Sequence, residues 1–318
     1  MLSTSARAFW EGRLGFVDWD SAIGGRSALI ARAVDGPWVF QIDILDKEAI
    51  ELLKDRPEGI DTPITLYSLS RSDDLSPLDS RSLAVTGSKP IDLSPLYHLP
   101  AGVENLAMVD AVISPRQRLR LSDLPHLRAL AVDWTALDLA GGYGAALRVL
   151  SIHGYGCGGL EDLVVDGCDR IEYLSIVRSR ALRDLTAMGA FPSLSRLELY
   201  GCQQLADFSP LALLPSLRHI NIEACRRLRT VGGLIPPNIE SLAVTDCGTI
   251  DSVKGLLAHS TLQRVALNGD TLVEDRDLTP LLQLPLLHSV LVASRRGYHP
   301  SAAEIRARFG WQPIGNSF

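Results

Sequence analysis

The sequence predicts an α/β repeat solenoid: short parallel strands forming one concave sheet, joined by return segments too short for long helices. Three observations predict it. Short apolar-x-apolar cores begin at Leu83, Leu106, Leu130, Leu150, Leu174, Leu197, Ile220, Leu242, Val265 and Val290. Their spacing is 23, 24, 20, 24, 23, 23, 22, 23 and 25 residues, a mean of 23. A further aliphatic residue precedes most cores by three positions, as at Leu127, Leu147, Ile171, Leu194, Leu217, Ile239, Leu262 and Leu287. The intervening segments also share words: "DLSPL" at 74–78 and 92–96, "DFSPL" at 207–211, "DLTPL" at 277–281.

Each element follows from local chemistry. Alternation of apolar and other residues over five positions gives a strand with one inward and one solvent face. A single coil cannot bury its leucines, whereas stacked coils bury them against one another. Asp or Ser/Thr before Pro favours a turn or a short 3₁₀ segment with Pro at its first position. The stretch 154–174 is irregular, because its "LVVDGC" is out of phase. It reads as the return of the coil beginning at Leu150.

A coil such as "LSRLELYGCQQLADFSPLALLPS" (194–216) resembles the leucine-rich-repeat family, with its pattern L-x-x-L-x-L-x-x-N/C-x-L. The resemblance runs from about residue 64 to 298. It implies a horseshoe or arc with a parallel concave sheet, and protein binding as the usual role; no particular partner follows.

Both ends of a solenoid need covers. Residues 1–62 hold three of the five Trp (Trp10, Trp19, Trp38), a strand-like "PWVFQIDIL" and a helix-like "DKEAIELLKDR" with Asp46 as N-cap. They read as a small α+β N-terminal cap, 63–298 as the solenoid of about ten repeats with a degenerate first one, and 299–318 as a C-terminal cap. In that cap Ser301 and Glu304 form a capping box, Gly310 ends the helix, and Ile305, Phe309 and Trp311 cover the last coil.

Composition narrows the function classes. Formal net charge is −6 over 318 residues, so no global basic field gathers nucleic acid or anionic membrane. The one basic stretch, Arg295, Arg296, Arg306 and Arg308, reads as a solvated end. No apolar run reaches membrane-spanning length and no export signal is visible, so the expectation is a cytoplasmic protein with reduced thiols. The expected form is a monomer, with no nucleic acid or membrane partner.

Chemistry-bearing motifs are sparse. "GYGCGG" (154–159) matches a dinucleotide fingerprint, but no helix opens at its third glycine, so it reads as a turn. His153 and His219 share a face but lie three coils apart, about 14 Å, too far for shared ligation. No catalytic set, metal site or cofactor is expected, and the chain does not read as an enzyme. Cys202, Cys225 and Cys247 fall five after their core residue, where the family carries Asn or Cys. They read as an inward ladder, with Ser88, Ala111, Thr135, Tyr155, Ser179, Asp270 and Arg295 at the matching positions. Cys157 and Cys168 have no assigned role.

Function is then expected on the outward strand positions. The central row is mostly small: Ala84, Ala107, Ala131, Ser151, Ser175, Glu198, Asn221, Ala243, Ala266, Leu291. The flanking rows carry Asp133, Trp134, His153, Tyr173, Arg178, Arg196, Tyr200, His219 and Glu223. Trp, Tyr and Arg are the residues enriched in interface hot spots. Together with Glu198 and Asn221 these positions are the candidate partner-binding set. The competing reading is a solvated face whose charges pair with each other, Arg196 with Glu198 or Glu223. The favoured function is a non-enzymatic module that binds another protein, as inhibitor, immunity-type protein or adaptor. Two alternatives stand beside it: an activity or ligand site in residues 1–62, and a self-associating scaffold.

Overall fold

In the computed structural model, residues 64–78, 80–232 and 236–310 are described in full, and the strands at 17–24, 28–33 and 38–42 by their backbone. The chain divides into two compact units, Met1–Leu147 and Arg148–Phe318.

In the first unit, strands Val17–Gly24, Ala28–Ala33 and Trp38–Ile42 pair antiparallel in chain order. The third then runs parallel to Ile64–Leu66, followed in parallel by Ser82–Val85, Asn105–Met108 and Ala129–Asp133. The predicted core residues stand opposite one another, Leu83 beside Leu106 and Leu106 beside Leu130. Phe40 stands beside Ile64, so the parallel sheet continues into a region where the sequence showed no repeat. The helix expected at 46–56 lies outside the described residues.

The second unit repeats one coil with little variation. Strands Val149–His153, Tyr173–Val177, Arg196–Tyr200, His219–Glu223, Ser241–Thr245, Arg264–Asn268 and Ser289–Val292 are parallel, each beside the next. Leu150, Leu174, Leu197, Ile220, Leu242, Val265 and Val290 form one inward row, none more than 1% exposed. Ile152, Ile176, Leu199, Ile222, Val244, Leu267 and Val292 form a second. At ~25 cal/mol per Å² of apolar surface removed from water, these two rows hold the coils together jointly with the buried leucines of the return segments, such as Leu163, Leu185 and Leu211. The irregular stretch after Leu150 is a return, with short 3₁₀ turns at Glu161–Leu163 and Cys168–Arg170 and no extra strand.

The recurring Asp words open the return segments. The amides of Ser94, Thr186, Ser209 and Thr279 donate to the carboxylates of Asp92, Asp184, Asp207 and Asp277, at 2.8, 2.7, 2.9 and 3.0 Å. A 3₁₀ segment starts at each of those four residues. Where Pro is present it is the second residue of the segment, not the first, because Ser or Thr already carries the bonded amide. The hydroxyls of the same Ser and Thr residues, with their amides second, hold the four carboxyls below the usual carboxylate range.

The C-terminal helix Ala302–Phe309 has the expected capping box: Glu304 N–H donates to Ser301 Oγ, and Ser301 N–H donates to Glu304 Oε2 at 2.8 Å. Ile305 is fully buried and Phe309 half-buried, and Val290 N–H donates to Gly310 O, so this segment covers the last coil. Trp311 lies outside the described residues. No helix among the described residues is long and apolar enough to cross a membrane.

Candidate functional site

The corner after each strand decides which side chains reach the open face. In the second unit Gly154, Arg178, Gly201, Ala224, Asp246 and Gly269 all adopt left-handed backbone, with φ of 65°, 57°, 66°, 53°, 53° and 58°. Amides at five of these corners donate to the last strand carbonyl of the next coil: Gly154 to Val177, Arg178 to Tyr200, Gly201 to Glu223, Ala224 to Thr245, Asp246 to Asn268. Arg178 was expected on the strand face. It is instead a corner residue, exposed at the sheet's margin.

Immediately after the corner comes the inward position. Cys202, Cys225 and Cys247 are free and 0% exposed. Their thiols reach back to the carbonyls of Ile176, Leu199 and Ile222 in the preceding coil, at 3.7, 3.6 and 3.5 Å. They share the proton with the carbonyls of Tyr200, Glu223 and Thr245 in their own strands, at 3.9, 3.4 and 3.2 Å. Ser179 Oγ donates to the carbonyl of Tyr155 at 2.6 Å, and Tyr155 O–H donates to Gly159 O at 2.8 Å. The positional reading of the cysteines therefore holds. The Cys225 thiol is pushed up by its hydrogen bond with Cys202 and by burial, and burial pushes Cys247 up to about 12. Neither is poised as a nucleophile. In the next coil the inward residue is Thr271, not Asp270. Its hydroxyl donates to Val244 O at 3.1 Å and accepts from Cys247 N–H at 3.2 Å. Ser88 and Arg295, also matched to this position, are exposed. The glycine-rich "GYGCGG" is filled by the Tyr155 ring, 1% exposed, and leads into no helix.

The open face of the second unit gathers most of the candidate set. Register places Tyr173, Arg196, His219, Ser241 and Arg264 side by side along one margin. The central row reads Ser175, Glu198, Asn221 and Ala243, and the far row Val177, Tyr200, Glu223 and Thr245. His153 heads that far row, opposite Val177.

At its centre Arg196 Nη2 donates to Glu198 Oε1 at 2.7 Å and Nε at 3.1 Å, both side chains under a quarter exposed. The guanidinium carbon lies 5.4 Å from the centre of the Tyr173 ring. Burial, with the Glu198 charge beside it, pushes the Tyr173 phenol above its usual value. Ser175 is 4% exposed beneath these neighbours, so the floor of small residues is partly roofed by the flanking rows. Tyr200 stands beside them at 42% exposure. His219 is held below the usual imidazole range by burial, and Glu223 above the usual carboxylate range by burial and by Asp246 and Glu198.

Asp133 and Trp134 belong to the first unit. Asp133 ends its strand and accepts the Asp110 amide at 2.8 Å, a corner-fixing role, and Trp134 begins a 3₁₀ turn, half-buried. A shallow cleft of about 240 Å³ is lined by Asp133 and Thr135 together with Ser114, Arg116 and Arg118, and the last three were not singled out from the sequence. Among the described residues no group of three or more His, Cys, Asp or Glu could hold a metal ion.

No family model matches the chain, and no curated protein does. Solved structures do. An internalin (inlF) from Listeria monocytogenes is 16% identical, covers 80% of each chain and has a TM-score of 0.47. The TLR13–ssRNA13 complex is 18% identical, with TM-score 0.47 over 72% of this chain and 38% of that one. The leucine-rich repeat domain of the type III effector XCV3220 (XopL) is 19% identical, with TM-score 0.38 over 78% and 84%. The parallel strands, their 23-residue step and the inward ladder carry the assignment by themselves. The fold is a leucine-rich-repeat solenoid. Within this leucine-rich-repeat array the face from Tyr173 to Glu223 is where aromatic and charged side chains concentrate.

Proposed function

We propose that this protein is a non-enzymatic binding module, and that it holds another protein on the open face of its second unit. The observation that supports this most is the Tyr173–Arg196–Glu198 cluster beside exposed Tyr200. A guanidinium stacked on a ring and fixed by a carboxylate has already lost its rotamer freedom. A partner therefore gains contact area there at reduced entropic cost. Tyr and Arg are also the residues that most often dominate interface energy. The surrounding array contributes rigidity, since a parallel solenoid presents its outward positions as one continuous surface. Inhibitor, immunity-type and adaptor roles all use such a surface. The covers at 1–62 and 299–318 belong to the same proposal, as caps that leave the open face free.

Replacing Tyr173, Arg196 and Tyr200 together by Ala tests it. Binding of a partner isolated with the native chain is expected to weaken at least a hundredfold, on the scale of two hot-spot losses. Unchanged binding rejects the assigned face and leaves Arg196–Glu198 as a solvated ion pair.

A further inference from the structure

The open face of the second unit is divided by charge. Along one margin His219 and Arg264 stand on strands separated only by that of Ser241. The charges acting on His219 are those of Arg264, Arg196 and Arg218, with Glu240 opposing them. Arg218 is paired to Glu240 at 3.1 Å and Arg196 to Glu198 at 2.7 Å. Arg264 forms no ion pair among the described residues. Its Nε, like His219 Nδ1, is buried without a hydrogen-bond partner.

The opposite margin carries an acidic pair, Glu223 and Asp246, with Arg178 two coils away and Arg295 bonded to the Gly269 carbonyl at the next corner. Glu223 lies beside Thr245, and Asp246 follows at the corner. Glu223 is half-buried and faces Asp246 and Glu198, both acidic. One Asp246 oxygen accepts the Asp270 amide at 2.7 Å. Neither Glu223 nor Asp246 is in an ion pair among the described residues. The two margins are four strand positions apart, about 13 Å.

Like charges held together in partly dry surroundings weaken the free protein, and the deficit turns into affinity when a partner supplies the opposite sign. Charges of both signs on one face also select against a uniformly anionic ligand: a polyphosphate reaching Arg264 brings negative charge toward Glu223 and Asp246.

Building on the protein-binding reading above, we propose that the partner presents a charge-separated segment of opposite order. An acidic side chain meets His219 and Arg264, and a basic side chain meets Glu223 and Asp246, about 13 Å away along the strands.

The test titrates the full chain with the end-blocked peptide Glu-Thr-Val-Thr-Lys, whose extended length matches the spacing. Penta-lysine, penta-glutamate and oligouridylate serve as comparison probes, and backbone NMR shifts as the readout. Shifts at 219–224, 241–246 and 264 are expected, with affinity reduced roughly threefold to tenfold in R264Q and in E223Q/D246N. The reversed pair E223K/D246K is expected to prefer Glu-Thr-Val-Thr-Glu. Three results overturn the proposal: no shifts at millimolar peptide, equal affinity in the Gln and Asn variants, or oligouridylate binding as tightly as the peptide. The face reading is separable from it. A protein partner that binds E223Q/D246N as it binds the unmodified chain, but is lost from the Tyr173/Arg196/Tyr200 alanine variant, keeps the face and rejects the charge order.

Discussion

The two units share a strand geometry and differ in how the chain leaves the strand. In the second unit each of six successive coils turns through a left-handed corner, and the next inward side chain enters the core. In the first unit only Asp110 makes such a corner at the corresponding place, with φ 56°. There Gly87 opens a second strand, Gly87–Ile91, paired with Ala111–Ile113, and Trp134 opens a 3₁₀ turn. The difference tracks the side chain that follows. Tyr155, Ser179, Cys202, Cys225, Cys247 and Thr271 are at most 1% exposed, whereas Ser88 and Thr135 are exposed and Ala111 has no polar atom. From Ser179 to Thr271 an inward polar group within reach of the preceding coil's carbonyl accompanies the corner, and after Gly154 the buried Tyr155 ring fills that place with its hydroxyl on Gly159 O. A second short sheet forms in both units, Gly87–Ile91 with Ala111–Ile113 in the first and Thr249–Ile250 with Leu272–Val273 in the second, so it accompanies either exit.

The largest expected effect separates the two exits directly. Tyr155→Ala removes a buried ring and its hydrogen bond and is expected to cost about 3–5 kcal/mol, as other buried aromatic truncations do. Thr135→Ala, at the equivalent exposed place in the first unit, is expected to stay within about 0.5 kcal/mol. Urea midpoints at constant slope measure both, and similar losses would dissolve the distinction.

The thiol ladder comes next. Cys225→Ala is expected to cost about 1–2 kcal/mol, through lost packing and an unsatisfied carbonyl. Cys225→Ser should cost less, because Ser179 already performs this task. In the folded protein a thiol-trapping reagent should label Cys157 and Cys168, which are half-buried, before the three buried cysteines. Rapid labelling of Cys202, Cys225 or Cys247 would show that the corner opens.

The corners themselves give a paired prediction of opposite sign. Ala224→Gly should stabilise by about 1 kcal/mol, since alanine at φ 53° carries a steric cost that glycine lacks. Gly201→Ala should destabilise by a similar amount; a Cβ there meets Arg178 Cα at an ordinary 3.6 Å, so the cost is conformational rather than a clash. Thermal unfolding of both variants reads the two signs.

The smallest effect is shared by both units. Asp92, Asp184, Asp207 and Asp277 have folded pKa values below the unfolded carboxyl near 4, because they accept the hydroxyls and then the amides of Ser94, Thr186, Ser209 and Thr279. The unfolded chain then binds more protons between the two values, so stability rises with pH there. Their contribution is present above pH ~4 and is lost as pH falls through the folded values. Replacing all four by Asn should flatten stability against pH below ~5. An unchanged slope would assign acid sensitivity to other carboxyls.

Much of this was legible in the residues. All ten core positions from Leu83 to Val290 lie in strands and face inward, since burial of regularly spaced aliphatics leaves a period that no other demand erases. The capping box at Ser301 and Glu304 was equally plain, because its partners are three residues apart. The corner was not. Arg178, Ala224 and Asp246 are not glycines, so nothing in their type announces left-handed backbone, and Arg178 stands at a corner rather than in a strand row. Asp270 and Thr271 differ by one residue, and only the carbonyl of Val244 selects between them.

The candidate face divides in the same way. That Tyr173, Arg196, Glu198 and Tyr200 alternate outward follows from strand period alone. That Arg196 spends its charge on Glu198 and stacks on Tyr173, while Arg264 and Glu223 keep theirs, follows only from the packed coils. The sequence by itself determined the repeat, the inward rows and the outward lists, because these obey local periodicity and the burial of apolar area. Tertiary structure decided the corners, the ladder of thiols and hydroxyls, and the separation of charge across the sheet. Each of these depends on a group some twenty-three residues away, and only stacking brings the two within reach.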